Sequence, residues 1–231
     1  MGKVTFGIRQ IEGNGPKVLF ILGYGNDFDN PGVRWLIDRI KRMKLDCDLV
    51  RIPTRFDSFR EDIIDRCQRI ADSTEDFTLI AHSFGGLAGA YIEGARKRIF
   101  LSPYWGIPAR RRNPVTERIV RWMGGSKIPL IPRGFGKDDL GDLARKGDID
   151  PVPRFLTFRA VNQILELCEE LPPPLGRDIA YISEDDRIID LDAVKESGIE
   201  VRYFKGGHQP FVVRDRERIF HTMSREIILP S

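Results

Sequence analysis

The run at residues 17–22, Lys-Val-Leu-Phe-Ile-Leu, is apolar at every position after the first. A strand with one wet face alternates polar and apolar residues, so a run without alternation predicts a strand covered on both faces. Such a strand needs a mainly parallel sheet with helices on both sides. The rest of the chain supplies the parts. Strand signals fall at 4–11, 48–52, 77–82, 98–101, 178–182 and 200–204. Between them, Val33, Ile37, Ile40 and Met43 recur at helical spacing over 31–44. Ile63, Ile64, Cys67 and Ile70 do the same over 59–71, with Ser58 as N-cap. Further helices are expected at 85–95, 154–171, 191–197 and 211–229.

With 231 residues, 41% of them hydrophobic, the chain suits one domain with a sizeable core. Its 37 basic and 34 acidic residues are interspersed, and a net charge of +3 gives no field on the scale nucleic acid demands. The three cysteines, Cys47, Cys67 and Cys168, lie far apart with no Cys-x-x-Cys spacing. That argues against a disulfide framework and a zinc site and for free thiols. The first residues have no signal-like apolar stretch, and no run approaches the roughly 18 apolar residues that span a bilayer. A soluble, cytoplasmic protein is expected.

One stretch breaks the rhythm. Residues 106–153 carry Pro108, Pro114, Pro129, Pro132, Pro151 and Pro153, the pair Gly124-Gly125, and a short amphipathic piece at 115–123 containing Trp122. This reads as an insertion over the sheet, with 1–105 and 154–231 forming the core.

The strand at 77–82 ends in Ala81-His82-Ser83-Phe84-Gly85. A strand that stops at one serine, with a helix starting at once and small residues two positions to either side, has the form of a nucleophile elbow. A serine hydroxyl becomes nucleophilic only when a base takes its proton, and the base needs a partner to hold its tautomer. The chain has three histidines. His82 points away from the serine and is expected to pack under the turn, and His221 lies within the terminal helix. His208 follows the strand at 200–204 and the flexible Lys205-Gly206-Gly207, as a base on a loop should. Glu184, Asp185 and Asp186, after the strand at 178–182, all offer a carboxylate.

With elbow, acid loop and base loop in this order, the chain resembles the α/β-hydrolase superfamily, serine esterases and lipases in particular, over essentially its whole length. The resemblance implies a twisted, mainly parallel sheet with helices on both faces and a helical lid at 106–153. Aligning Ser183 with the family's Gly-x-x-Asp selects Asp186 as the acid, with Asp185 second. It places oxyanion donors at the backbone N–H of Phe84 and of Tyr24, in the loop Leu22-Gly23-Tyr24-Gly25-Asn26. The sequence departs from the family at Ala81 and Ser183, both usually glycine, and lacks the histidine often found before Gly23.

The implied reaction is two-step hydrolysis of a carboxylic ester or thioester through an acyl-enzyme, without metal or organic cofactor. Trp105, Trp122 and Met123, with Ile107, Ile128, Leu130, Ile131 and Phe135, would line a pocket for a small or medium apolar acyl group, or pin the lid to the core. Arg110-Arg111-Arg112 at the pocket mouth would suit an anionic thioester. Lyases, perhydrolases and acyltransferases share this triad, and a non-catalytic binding protein would share the fold. The implied partner is a small ester or thioester, with a homodimer allowed, no nucleic acid and no stable membrane insertion.

Overall fold

The computed structural model describes residues 5–109, 112–130, 136–148 and 156–228. The strands are β1 (Gly7–Ile11), β2 (Lys17–Ile21), β3 (Asp46–Arg51), β4 (Phe77–His82), β5 (Lys97–Leu101), β6 (Pro129–Leu130), β7 (Leu156–Thr157), β8 (Ile179–Ser183) and β9 (Glu200–Phe204). The helices are α1 (Pro31–Arg42), α2 (Asp65–Asp72), α3 (Phe84–Ala90), α4 (Pro114–Trp122), α5 (Lys137–Leu140), α6 (Phe158–Glu169), α7 (Leu191–Glu196) and α8 (Arg216–Ile228). Among the described residues, seven strands form one sheet in the order β1-β3-β2-β4-β5-β8-β9. β1 runs antiparallel to β3, and the other pairings are parallel. β6 and β7 make a separate small ribbon.

The expected architecture is therefore present. β4 is buried along its whole length, as its lack of alternation requires. Local chemistry sets the helix ends. Pro31 and Pro114 occupy first-turn positions, where a missing N–H costs nothing. Asn113, Thr157 and Asp190 cap α4, α6 and α7 with their side chains. Ser58 accepts from the Glu61 N–H at 3.2 Å, opening the helix that leads through a π-helical turn at Arg60–Ile64 into α2. Several boundaries differ: β3 begins at Asp46 rather than 48, and the helix after Ser83 ends at Ala90 rather than 95. The last helix begins at Arg216 rather than 211, because Phe211, Val212 and Val213 form buried turns that fill the core beneath the sheet's end. The cysteines are free; Cys47 and Cys67 are buried, and burial pushes the Cys67 thiol up to about 12. Among the described residues, no helix is long and apolar enough to cross a membrane.

Strand order decides where chemistry can happen. β3 and β4, the next two strands along the chain, lie on opposite sides of β2, so the direction of winding reverses there. Such a switch point opens a crevice at the carboxyl ends of the strands. Ile21 pairs with Ala81, which brings the loop after β2 alongside the residues after β4. β8 and β9 end together, Ser183 opposite Phe204, and feed the loops carrying Asp186 and His208.

Candidate active site

Ser83 joins β4 to α3 with φ 55° and ψ −119°, a left-handed conformation that a residue with a Cβ adopts only under constraint. The constraint is visible. Its N–H donates to the Leu101 carbonyl at 3.1 Å, and its carbonyl accepts from Tyr104 at 3.0 Å and from Leu87 at 3.2 Å. Gly85 is obligatory, since a Cβ there would stand 2.5 Å from the Ile21 carbonyl oxygen and 2.6 Å from that of Leu22. Ala81, the departure on the other flank, is accommodated by Gly89. A Cβ on Gly89 would lie 2.7 Å from that of Ala81, so the missing side chain on α3 makes room for the one on β4.

His208 is buried between two partners. Its Nδ1 lies 2.9 Å from Asp186 Oδ2 and its Nε2 lies 2.8 Å from Ser83 Oγ. A carboxylate only accepts, so Nδ1 donates to Asp186 and Nε2 accepts from the serine hydroxyl. Asp186 Oδ1 accepts from the Ile188 N–H at 2.8 Å. Burial alone would raise the Asp186 carboxyl. The charge and hydrogen bond of His208, the Ile188 N–H and the nearby Ser102 hydroxyl outweigh it and leave the group below its ordinary value. Asp185, the second choice, is exposed and makes no contact with His208; its N–H donates to Ser183 Oγ at 3.2 Å. The Ser183 hydroxyl in turn donates to the Gly206 carbonyl, so this departure ties the acid loop to the base loop. His221 is exposed on α8 beside Arg225. His82 is buried beneath the turn.

Phe84 holds the first helical position of α3, whose N–H has no intrahelical acceptor. Gly23 packs directly on the elbow: a Cβ there would lie 2.9 Å from Ser83 Cβ. Tyr24 follows it, its hydroxyl donating to the Thr54 carbonyl at 2.8 Å and its ring 5.5 Å from that of Phe84. Phe56 and Phe59 extend this aromatic wall, and Tyr104 stands edge-on to Phe84 at 4.7 Å. Phe56 also lines a cleft of about 600 Å³, bounded by Arg55, Asp62, Lys127 and Thr157. Sequence reading missed this wall, although two phenylalanines just after the carboxyl end of a strand were a usable signal.

The pocket assignments of Trp105 and Trp122 need correction. Trp122 is 85% exposed on α4, because the helix turns Val120 rather than Trp122 inward. Met123, half-buried, caps the end of α4. Trp105 is buried, but its Nε1 donates to the Gly86 carbonyl at 3.2 Å and its ring stands on Phe100, which commits it to the core under α3. Arg112 pairs with Asp190 at 3.3 Å. Arg110, Arg111, Ile131 and Phe135 lie outside the described residues. Among the described residues, no cluster of three or more histidine, cysteine or acidic side chains could hold a metal.

A family model described as "Alpha/beta hydrolase family" matches residues 22–222. No curated protein sequence matches the chain significantly. Solved structures do share its fold. A monoacylglycerol lipase of Paleococcus ferrophilus superposes with a TM-score of 0.79 at 14% identity, covering 99% of this chain and 100% of the lipase. A soluble variant of monoglyceride lipase from Saccharomyces cerevisiae gives 0.75 at 13% identity, covering 96% and 91%. Est1E from Butyrivibrio proteoclasticus gives 0.60 at 11%, covering 95% and 91%.

Proposed function

The chain belongs to the alpha/beta hydrolase family, and we propose that it is a serine hydrolase that cleaves a carboxylic ester or thioester. The observation that carries this reading is the continuous hydrogen-bonded line Asp186–His208–Ser83, ending on a serine held in a strained backbone. His208 takes the Ser83 proton as the serine attacks the carbonyl, and Asp186 stabilises the imidazolium that forms. The N–H groups of Phe84 and Tyr24 receive the developing oxyanion. His208 then protonates the leaving group, and water clears the acyl-enzyme by the same route.

The aromatic wall of Tyr24, Phe56, Phe59 and Phe84 suits an apolar acyl group of small or medium size. Residues 106–153 act as the cap over this crevice. The reaction needs no metal or organic cofactor, and the protein works in the cytoplasm on a small-molecule substrate. Two of the structures that share the fold are named as a monoacylglycerol lipase and a monoglyceride lipase, which supports this choice over lyase or acyltransferase chemistry.

A fluorophosphonate probe tests the reading. Wild type is expected to label and Ser83→Ala is not; equal labelling of both would remove the assignment. A series of p-nitrophenyl esters of increasing chain length then reads the acyl preference, with His208→Ala expected to abolish turnover.

A further inference from the structure

His82 ends β4 one residue before Ser83, with 1% of its surface exposed. An inward position on a central strand would ordinarily take an apolar side chain, and a histidine brings two ring nitrogens into a dry place. Nε2 lies 3.3 Å from the backbone carbonyl oxygen of His208. A carbonyl only accepts, so the proton sits on Nε2 and His82 donates. The ring stands 5.0 Å from that of His208 and edge-on to Phe211 at 5.3 Å. On its other side Nδ1 has no hydrogen-bond partner among the described residues. That nitrogen faces Gly23, where a Cβ would lie 2.7 Å from Nδ1 and 3.1 Å from Cε1. Burial first, then the neighbouring His208, lowers the His82 pKa to about 3, so the ring stays neutral and keeps its single proton.

One side chain therefore touches two loops that the chemistry needs: the loop carrying the base and the loop carrying the second oxyanion donor. We propose that His82 is a positioning residue for the hydrolysis, its Nε2–H fixing the His208 backbone while its ring sets how closely Gly23, and with it the Tyr24 N–H, approaches Ser83. This rests on the serine-hydrolase reading above. Leucine or phenylalanine could fill the space, but neither could donate to the His208 carbonyl.

The test compares wild type, His82→Phe and His82→Gln with p-nitrophenyl acetate, alongside melting temperature. His82→Phe is expected to lower kcat by up to about 10²-fold, the scale of a misplaced reacting group, with KM within about twofold. His82→Gln, which restores an N–H donor, is expected to recover most of the loss. Unchanged kcat in His82→Phe overturns the proposal. So do equal losses in both variants that track their melting temperatures, which would mark His82 as packing alone. Imidazole ¹⁵N NMR of the wild type needs no variant to fold: protonated Nε2 and unprotonated Nδ1 on His82 support the proposal, and the opposite tautomer refutes it. A wild type that neither labels with fluorophosphonate nor turns over ester removes the hydrolase reading and this inference with it; labelling with normal kinetics in His82→Phe removes only this inference.

Discussion

Residues 136–148 and residues 112–130 belong to the same excursion between β5 and α6, yet they are attached to the molecule in different ways. The first segment is joined to the base loop through its backbone. The Asp139 and Leu140 carbonyls accept from the N–H groups of His208 and Gln209 at 3.0 and 2.8 Å, and the Leu143 N–H donates to Val212 at 2.8 Å. Asp142 accepts from the Arg214 N–H, and the buried Asp148 accepts from the Gly32 N–H at 2.6 Å. The second segment meets the core mainly along α6, with Arg121 paired to Glu169 and Gly124 against Asn162. Its outer surface presents Val115, Ile119 and Trp122 to solvent at helical spacing. An insertion can thus be structural at one end and peripheral at the other. The part that holds the His208 loop in place is the part with no amphipathic signature.

Acid should separate the two ends most strongly. The buried groups with lowered pKa values, His82 and Asp186, both lie on the base-loop side. His82 takes its proton near 6.5 in the unfolded chain and near 3 in the folded one. Between those values the unfolded state binds more protons, so stability falls as pH falls, by up to about 1.4 kcal/mol per pH unit. Asp186, lowered from 3.8, adds a loss in the same direction once pH drops through the carboxylate range. Urea unfolding at pH 7, 5 and 4 should show a steeper loss in wild type than in His82→Gln. Parallel slopes would refute the buried neutral histidine.

A glycine pair tests the comparison directly. A Cβ on Gly141 would lie 2.7 Å from the Val212 carbonyl oxygen, at a φ of 156°. Gly141→Ala should cost about 1–3 kcal/mol and lower kcat through displacement of the base loop. A Cβ on Gly125, in the other segment, meets nothing within 4 Å, so Gly125→Ala should stay within about 0.5 kcal/mol of wild type. Equal melting temperatures for the two variants would break the comparison. Asp148→Ala comes next, stranding the buried Gly32 N–H at about 1–3 kcal/mol. Arg121→Ala, which removes an exposed pair, should cost less than about 1 kcal/mol.

These contrasts explain what was legible in the sequence. β4, the serine turn and the start of α3 were readable because burial on both faces removes polar alternation and close approach demands small residues, both of which are local; the end of α3, at Ala90 rather than 95, was not. His208 was readable because it was the one histidine on a loop after a strand. Asp186 was separated from Asp185 only by resemblance, and in space the difference is burial: one faces His208 and the other faces water. The start of the last helix was misplaced because Phe211, Val212 and Val213 are apolar for the sake of a buried turn, which periodicity cannot distinguish from a helical face. The hold of 136–148 on the base loop was invisible for a different reason. Backbone N–H and C=O groups make it, and nearly every residue type supplies them.

Trp122 carries the smallest expected effect. A tryptophan in an amphipathic piece suggests an inward anchor, but α4 rests on the core along one side only, and Val120 takes the inward place. With 85% of its surface in water, Trp122 has little packing to lose. Trp122→Ser should therefore leave the unfolding free energy within about 0.5 kcal/mol of wild type and kcat/KM for p-nitrophenyl acetate unchanged. A clear fall in kcat/KM at constant stability would mean that the exposed arm reaches the substrate during turnover. The segment 112–130 would then share the work of the site with 136–148, and the division drawn between them would fail where it is thinnest.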